Sequence, residues 1–219
     1  MTNKGLFIVI DGPSASGKDS IIKQVLKDLS ELGVKALSIE ETKEKNYNRK
    51  KILKEKNKGN QEVARAIIDE RKKLYQAKVI PQLESGTLVI ANRGEPSTLI
   101  YQTFENQITM EEIWNMHRNE TMLIPDLIVI VNCSVGEALR RESSMKISDE
   151  NKDENSMSGK FTKDFERRKQ IHAKFEKVRN FLERKKLLVI YLRTDIMDIQ
   201  EESQKVVNFI KNKLNYVRE

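Results

Sequence analysis

Five short apolar runs punctuate an otherwise polar chain: Leu6–Ile10, Lys35–Ile39, Thr87–Ala91, Leu127–Val131 and Leu187–Leu192. They are rich in β-branched residues and most lack strict alternation, the pattern of parallel strands buried on both faces. Helix-like segments separate them and predict helices over Ser20–Leu32, Gln61–Glu84, Pro96–Phe104, Met110–Glu120, Val135–Arg141, Thr162–Lys185 and Gln200–Asn215. Strand alternating with helix reads as a doubly wound α/β layer structure. Gly33 and Gly86 each follow a helical run and suit left-handed C-terminal caps. One segment, 142–160, is rich in Ser, Asp, Glu, Asn and Lys with almost no apolar side chain, and reads as a long mobile loop. It is a candidate lid; the alternative is a tolerated surface insertion.

Composition narrows the class. A chain of 219 residues, 38% hydrophobic and 33% charged, suits a single soluble α/β domain over 1–219. No apolar run approaches the ~20 residues that span a bilayer, so no membrane partner is expected. The N-terminus enters a strand-like run at once, which predicts no secretory signal. A lone cysteine, Cys133, rules out an internal disulfide, reads as a core residue, and points to a reducing cytoplasm. The net charge of +7 invites a nucleic-acid reading. However, the basic residues are scattered through stretches such as Arg49–Lys58, Arg167–Lys177 and Lys211–Arg218, without interleaved aromatics or a DNA-reading motif. A solvated basic surface that attracts polyphosphate accounts for the charge, and no nucleic acid is expected.

The first strand runs directly into Gly12-Pro13-Ser14-Ala15-Ser16-Gly17-Lys18-Asp19-Ser20 and then a helix. This is G-x-x-x-x-G-K in its required context, strand before and helix after. The glycines let backbone N–H groups turn inward around phosphate oxygens, and the helix N-terminus adds its positive end. Lys18 supplies a full charge to the β- and γ-phosphates. The residue after the lysine, usually the hydroxyl that binds magnesium, is Asp19, with the hydroxyl displaced to Ser20. The loop therefore predicts a bound nucleoside triphosphate.

Further stretches, in order, resemble the thymidylate kinase family of P-loop nucleoside-monophosphate kinases: Asp69-Glu70-Arg71, Ile80-Pro81-Gln82-Leu83-Glu84-Ser85-Gly86, Asn92-Arg93 with Ser97-Thr98 and Tyr101-Gln102, Pro125-Asp126-Leu127, Ala138-Leu139-Arg140-Arg141, Phe165-Glu166, and Phe175 to Leu182. The resemblance covers nearly the whole chain. It implies a three-layer P-loop fold with a five-stranded parallel sheet and helices on both faces, ATP and Mg2+ as cofactors, transfer from ATP to a nucleoside monophosphate, with dTMP the best single choice, and a homodimer. It also assigns roles. Arg93 would hold the acceptor phosphate, a task suited to a planar guanidinium. Arg71 would reach the acceptor base or its phosphate. Ser97, Thr98, Tyr101 and Gln102 would line the acceptor pocket, although Tyr101 reads equally well as a core aromatic. Arg141 would act as an arginine finger, and Arg193 would lie near adenine. His117 and His172 read as bystanders.

Departures from the family pattern bear on specificity. The family's stacking aromatic one turn before Arg71 is Ile67, so weaker discrimination for dTMP is expected, with a partial gain on Ile67→Phe. The P-loop carries Ser14 where the family has an acid. The family's Asp-Arg is Asn92-Arg93, which leaves Asp19, Ser20 and Asn92 as the candidate metal ligands, with Asp19 either binding the metal or pointing to solvent while Ser20 does so. Glu40-Glu41-Thr42-Lys43 stands where the family has Arg-Glu-Pro-Gly-Gly, with Arg49 as a further phosphate ligand to consider. Two other readings remain open. A nucleoside or other small-molecule kinase would need a carboxylate base, such as Glu95 or Asp11. A non-catalytic nucleotide-binding regulator would suit the lost carboxylates but not the retained Lys18, Arg71, Arg93 and Arg141.

Overall fold

The computed structural model describes residues 4–43, 52, 60–104, 108–120, 123–148 and 165–218. Among these, strands β1 (Phe7–Asp11), β2 (Ala36–Glu40), β3 (Leu88–Asn92), β4 (Leu127–Asn132) and β5 (Val189–Arg193) form one sheet in the order β2-β3-β1-β4-β5. Every pairing is parallel. The connecting helices are α1 (Lys18–Glu31), α2 (Asn60–Leu74), α3 (Ile80–Glu84), α4 (Glu95–Tyr101), α5 (Met110–Glu120), α6 (Val135–Ser148), α7 (Phe165–Arg184) and α8 (Ile199–Arg218).

Residue alternation along β1 explains the three layers. Phe7 and Val9 join an apolar cluster with Ile68, Leu99, Ile113, Phe175 and Leu182 on one side of the sheet. Ile8 and Ile10 join another with Ile21, Val25, Leu29, Val206 and Ile210 on the other. A strand covered on both faces has no polar face to show, so the strands read as apolar runs. The α/β, three-layer expectation stands. Gly33 and Gly86 do adopt left-handed conformations, at φ 68° and 78°.

Two elements differ from the sequence pattern. The helix expected over Gln61–Glu84 contains a π-helical stretch, Tyr75–Val79, between α2 and α3. Pro81 has no N–H to donate to the preceding turn, and the wider stretch before it accommodates that loss. In the segment expected as a loop over 142–160, α6 continues to Ser148. Ser143 Oγ and Ser144 Oγ donate to the Leu139 and Arg140 carbonyls, both at 3.0 Å, so these hydroxyls fold back onto the helix. Glu142 is tied to Arg168 of α7. Residues 149–160 of the expected lid, and Arg49, lie outside the described residues.

Each strand ends on a polar residue: Asp11, Glu40, Asn92, Asn132 and Arg193. These align at the carboxyl edge of the sheet, where open α/β sheets take ligands beside the strand at which connections change direction. That strand is β1, flanked by β3 and β4.

Candidate functional site

The loop between β1 and α1 is shaped by close approach. A Cβ at Gly12 would lie 2.1 Å from the Val131 carbonyl oxygen, so only glycine lets the chain pass β4 there. Ala15 and Gly17 are both left-handed, at φ 59° and 89°. A non-glycine residue in that region is uncommon and marks backbone bent for a purpose. Gly12, Pro13 and Ser16 are buried, and Ser14, Ala15 and Gly17 half-buried. The Ser16 hydroxyl is buried without a hydrogen-bond partner, as suits a loop built to surround an anion. Lys18 opens α1, and burial pushes its ammonium pKa down, with the Arg93 guanidinium pushing the same way. Asp19 and Ser20 follow on the exposed side.

β3 brings the second half of the site. The register pairs Ile10 with Asn92, and the Arg93 N–H donates to the Ile10 carbonyl at 2.9 Å. Arg93 is itself left-handed at φ 78°, a second strained non-glycine residue facing the loop. Its Nη1 reaches Ser97 Oγ at 3.3 Å. The buried Asp11 carboxylate accepts from Gly12 N (2.8 Å), Gly94 N (3.2 Å), Ser97 N (2.8 Å) and Ser97 Oγ (2.8 Å). Gly94 has no side chain to cap α4, and Asp11 does so from another strand. Asp11 is thus an organising residue, fully committed and unsuited to be the base considered above. At the end of β3, Asn92 Nδ2 donates to Asp19 Oδ1 at 2.8 Å.

Beneath α4 lies a buried polar cluster. Arg71 is 0% exposed; its Nε and Nη2 engage both oxygens of Glu41, with Nη2–Oε2 at 3.0 Å. Its Nη1 donates to Thr98 Oγ1 at 3.0 Å and approaches His117 Nε2 at 3.4 Å. Arg71, expected to reach the acceptor base or its phosphate, is bonded to Glu41 and Thr98. A carboxylate from the segment after β2 has captured the guanidinium, and the fork-to-fork geometry is strong where water is excluded. Through Nη1, Arg71 also fixes the Thr98 hydroxyl. Ile67, one turn earlier, is also buried, at 1% exposure. Ser97, Thr98 and Gln102 are buried and Tyr101 is half-buried. Glu95 is buried with neither carboxylate oxygen partnered; burial raises its pKa, with Arg71 pulling the other way. It lines a cleft with Trp114, His117 and Pro125. Sequence reasoning missed Glu41 and treated His117 as a bystander. Their only signal was a second glutamate after β2 and a histidine on an amphipathic helix.

The opposite side of the loop is held by α6 and the turn after β5. Arg141 donates to Thr194 Oγ1 (2.9 Å), Thr194 O (2.7 Å) and Glu137 Oε1 (2.7 Å), and its Nη1 lies 3.4 Å from the Ala15 carbonyl. In this arrangement Arg141 ties α6 to both loops. Thr194 Oγ1 also donates to the Ser16 carbonyl at 2.6 Å. Arg193 forms a two-pronged pair with Asp195, both contacts at 3.0 Å. That pair and the Ser134 N–H hold the Asp195 carboxyl down at about 2. His172 packs at the end of β4, its Nδ1 at 2.8 Å from Asn132 Oδ1 and 2.9 Å from the Cys133 carbonyl. It is a core polar residue, and Cys133 beside it is buried.

The parts are those of a nucleotide phosphotransferase: an anion loop, two converging cations and a lined pocket on α4. Comparison with known proteins agrees. The family model described as thymidylate kinase matches residues 10–202. A thymidylate kinase of Clostridium novyi is 32% identical over 149 residues, covering 64% of this chain and 72% of that protein. One from Leptospira interrogans (serovar copenhageni) is 29% identical over 146 residues, covering 65% and 71%. One from Caldicellulosiruptor saccharolyticus is 26% identical over 215 residues, covering 96% and 99%. The chain therefore belongs to the thymidylate kinase family.

Proposed function

We propose that the protein transfers the γ-phosphoryl group of ATP to a deoxynucleoside monophosphate, with dTMP as the preferred acceptor. One observation carries the reading: the Arg93 N–H bonds the Ile10 carbonyl just before the loop, and the Arg93 guanidinium lies near enough to the buried Lys18 ammonium to push its pKa down. Like charges desolvated together are costly unless a polyanion lies between them. In the reaction an acceptor phosphate oxygen attacks the γ-phosphorus and the bond to the bridging oxygen breaks, leaving ADP. Lys18 and the loop N–H groups neutralise the donor phosphates, Arg93 aligns the acceptor phosphate, and Arg141 and Arg193 border the nucleotide's far side. Such catalysis is mostly positioning and electrostatics.

Magnesium, when bound, would supply neutralisation of the donor phosphates' charge. Asp19, Ser20 and Asn92 would hold it, and they fit. All offer oxygen, and the Asn92 Oδ1 is buried without a partner. Among the described residues no cluster of three His, Cys, Asp or Glu forms a self-sufficient metal cage, which accords with an ion that takes ligands from substrate phosphates. Family resemblance supports a cytoplasmic homodimer; no described helix is long and apolar enough to cross a membrane.

A panel of nucleoside monophosphates and free nucleosides, scored by ADP release, tests the reading with Lys18→Ala as control. The expected result is turnover on monophosphates and a loss of at least ~100-fold in the variant, the scale of removing one charge-stabilising group. The melting temperature of Lys18→Ala should not fall, because Lys18 is a desolvated cation whose acidic contact, Asp19, is 3.9 Å away. Turnover confined to unphosphorylated nucleosides would overturn the acceptor class, and near-normal activity of Lys18→Ala would overturn the reaction.

A further inference from the structure

We propose that this chain has moved its metal-binding carboxylate from the end of β3 to the first turn of α1, so that Asp19 is the anionic ligand and Asn92 its neutral positioning partner. The inference rests on the kinase reading above. In P-loop phosphotransferases the magnesium sits between a loop hydroxyl and a carboxylate supplied by a strand end. Here the position after the loop lysine holds the acid and the strand end holds the amide.

The structure joins the two exchanged residues directly. Asn92 Nδ2 donates to Asp19 Oδ1 at 2.8 Å. The Asp19 side chain is 74% exposed, yet the hydrogen bond holds it over the carboxyl edge of β3. Its other oxygen lies on the Lys18 side, 3.9 Å from Nζ. Asn92 is 6% exposed and its Oδ1 is buried with no partner. The pair therefore holds one charged oxygen beside the anion loop, steered by a neutral amide, a donor suited to a hard divalent cation. Glu40, the neighbouring strand end, is engaged by Lys43 at 2.8 Å.

The exchange is coupled for a physical reason. An aspartate at position 92 would stand at hydrogen-bond distance from Asp19, and two carboxylates so close cannot both ionise. An asparagine there removes the repulsion and donates the N–H that orients Asp19. The formal charge at the site is that of the usual arrangement, with the negative group on the other side. Without a cation, Asp19 would repel the triphosphate; with one between them, the same carboxylate attracts it.

The test uses the full chain with Mn2+ as the probe and a non-hydrolysable ATP analogue, in wild type, Asp19→Ser, Asn92→Asp and the double variant. Free Mn2+ is counted by electron paramagnetic resonance, and analogue affinity is measured with and without metal. Asp19→Ser should weaken Mn2+ binding to the protein–analogue complex by roughly 10-fold while metal-free analogue binding stays equal or tightens. Asn92→Asp alone should weaken metal-free analogue binding. The double variant should bind Mn2+ within about 3-fold of wild type. Unchanged Mn2+ affinity in Asp19→Ser would overturn the proposal and assign the ion to Ser20. Additive losses without recovery in the double variant would also overturn it. Because Asp19 is exposed, its single variant decides the matter even if position 92 tolerates no change. Folded wild type that binds no analogue at all would fail the kinase reading, and this inference with it.

Discussion

Glu41→Gln should be among the most damaging single substitutions in the chain. The Glu41 and Arg71 side chains are 0% and 1% exposed. At about 4 Å and an effective dielectric near 20, opposite unit charges attract by about 4 kcal/mol. Removing one partner of a buried pair typically costs about 3–5 kcal/mol, because the other charge stays buried without compensation. The buried Glu95 carboxyl, on which Arg71 also acts, offsets part of this, so we expect about 3 kcal/mol. For a domain of this size that lowers the melting temperature by roughly 6–12 °C. Urea unfolding of wild type, Glu41→Gln, Arg71→Met and the double variant measures it. The double variant should cost less than the sum of the singles, since it buries no lone charge. Acceptor KM should rise in Glu41→Gln while ATP KM holds, because Arg71 positions Thr98 on the acceptor side. A loss below about 1 kcal/mol, or additivity in the cycle, would refute the argument that this pair is closed and dry.

Ile67→Phe is expected to destabilise by about 1–3 kcal/mol through overpacking, because Ile67 is already buried; this revises the gain in dTMP discrimination anticipated from stacking. Melting curves and the ratio of kcat/KM for dTMP and dUMP check it, and improved discrimination at unchanged stability would refute it. Asp195→Asn should lower stability at neutral pH, by an amount that shrinks as pH falls. The folded Asp195 carboxyl titrates at about 2, below its ordinary 3.8, so its stabilisation is complete above about pH 4 and is lost toward pH 2. Melting temperatures of wild type and variant from pH 7 down to pH 3 should converge, and a constant gap would count against the Arg193 pair as the cause.

The chain's pattern alone determined the layers. Strands such as Leu127–Val131 are apolar throughout because both faces are covered, and burial of that kind leaves its mark residue by residue. The Gly12–Ser20 loop was equally legible, since close passage beside Val131 demands glycine locally. Strand ends were not. Apolar runs stop at Ile10, Ile39, Ala91, Val131 and Leu192, but pairing continues one residue further, to Asp11, Glu40, Asn92, Asn132 and Arg193. Those polar residues carry no hydrophobic signal, although their backbones still hydrogen-bond to the neighbouring strand. Only the tertiary structure decided what they meet. Asp11 caps a helix 86 residues away at Ser97, Asn92 orients Asp19 across 73 residues, and Glu41 captures Arg71 across 30. Pairings of this kind depend on the register of parallel strands and on distance through space. A linear pattern of polar and apolar positions does not encode the partner of a charge, because a charged residue looks the same in sequence whether solvent or another side chain neutralises it.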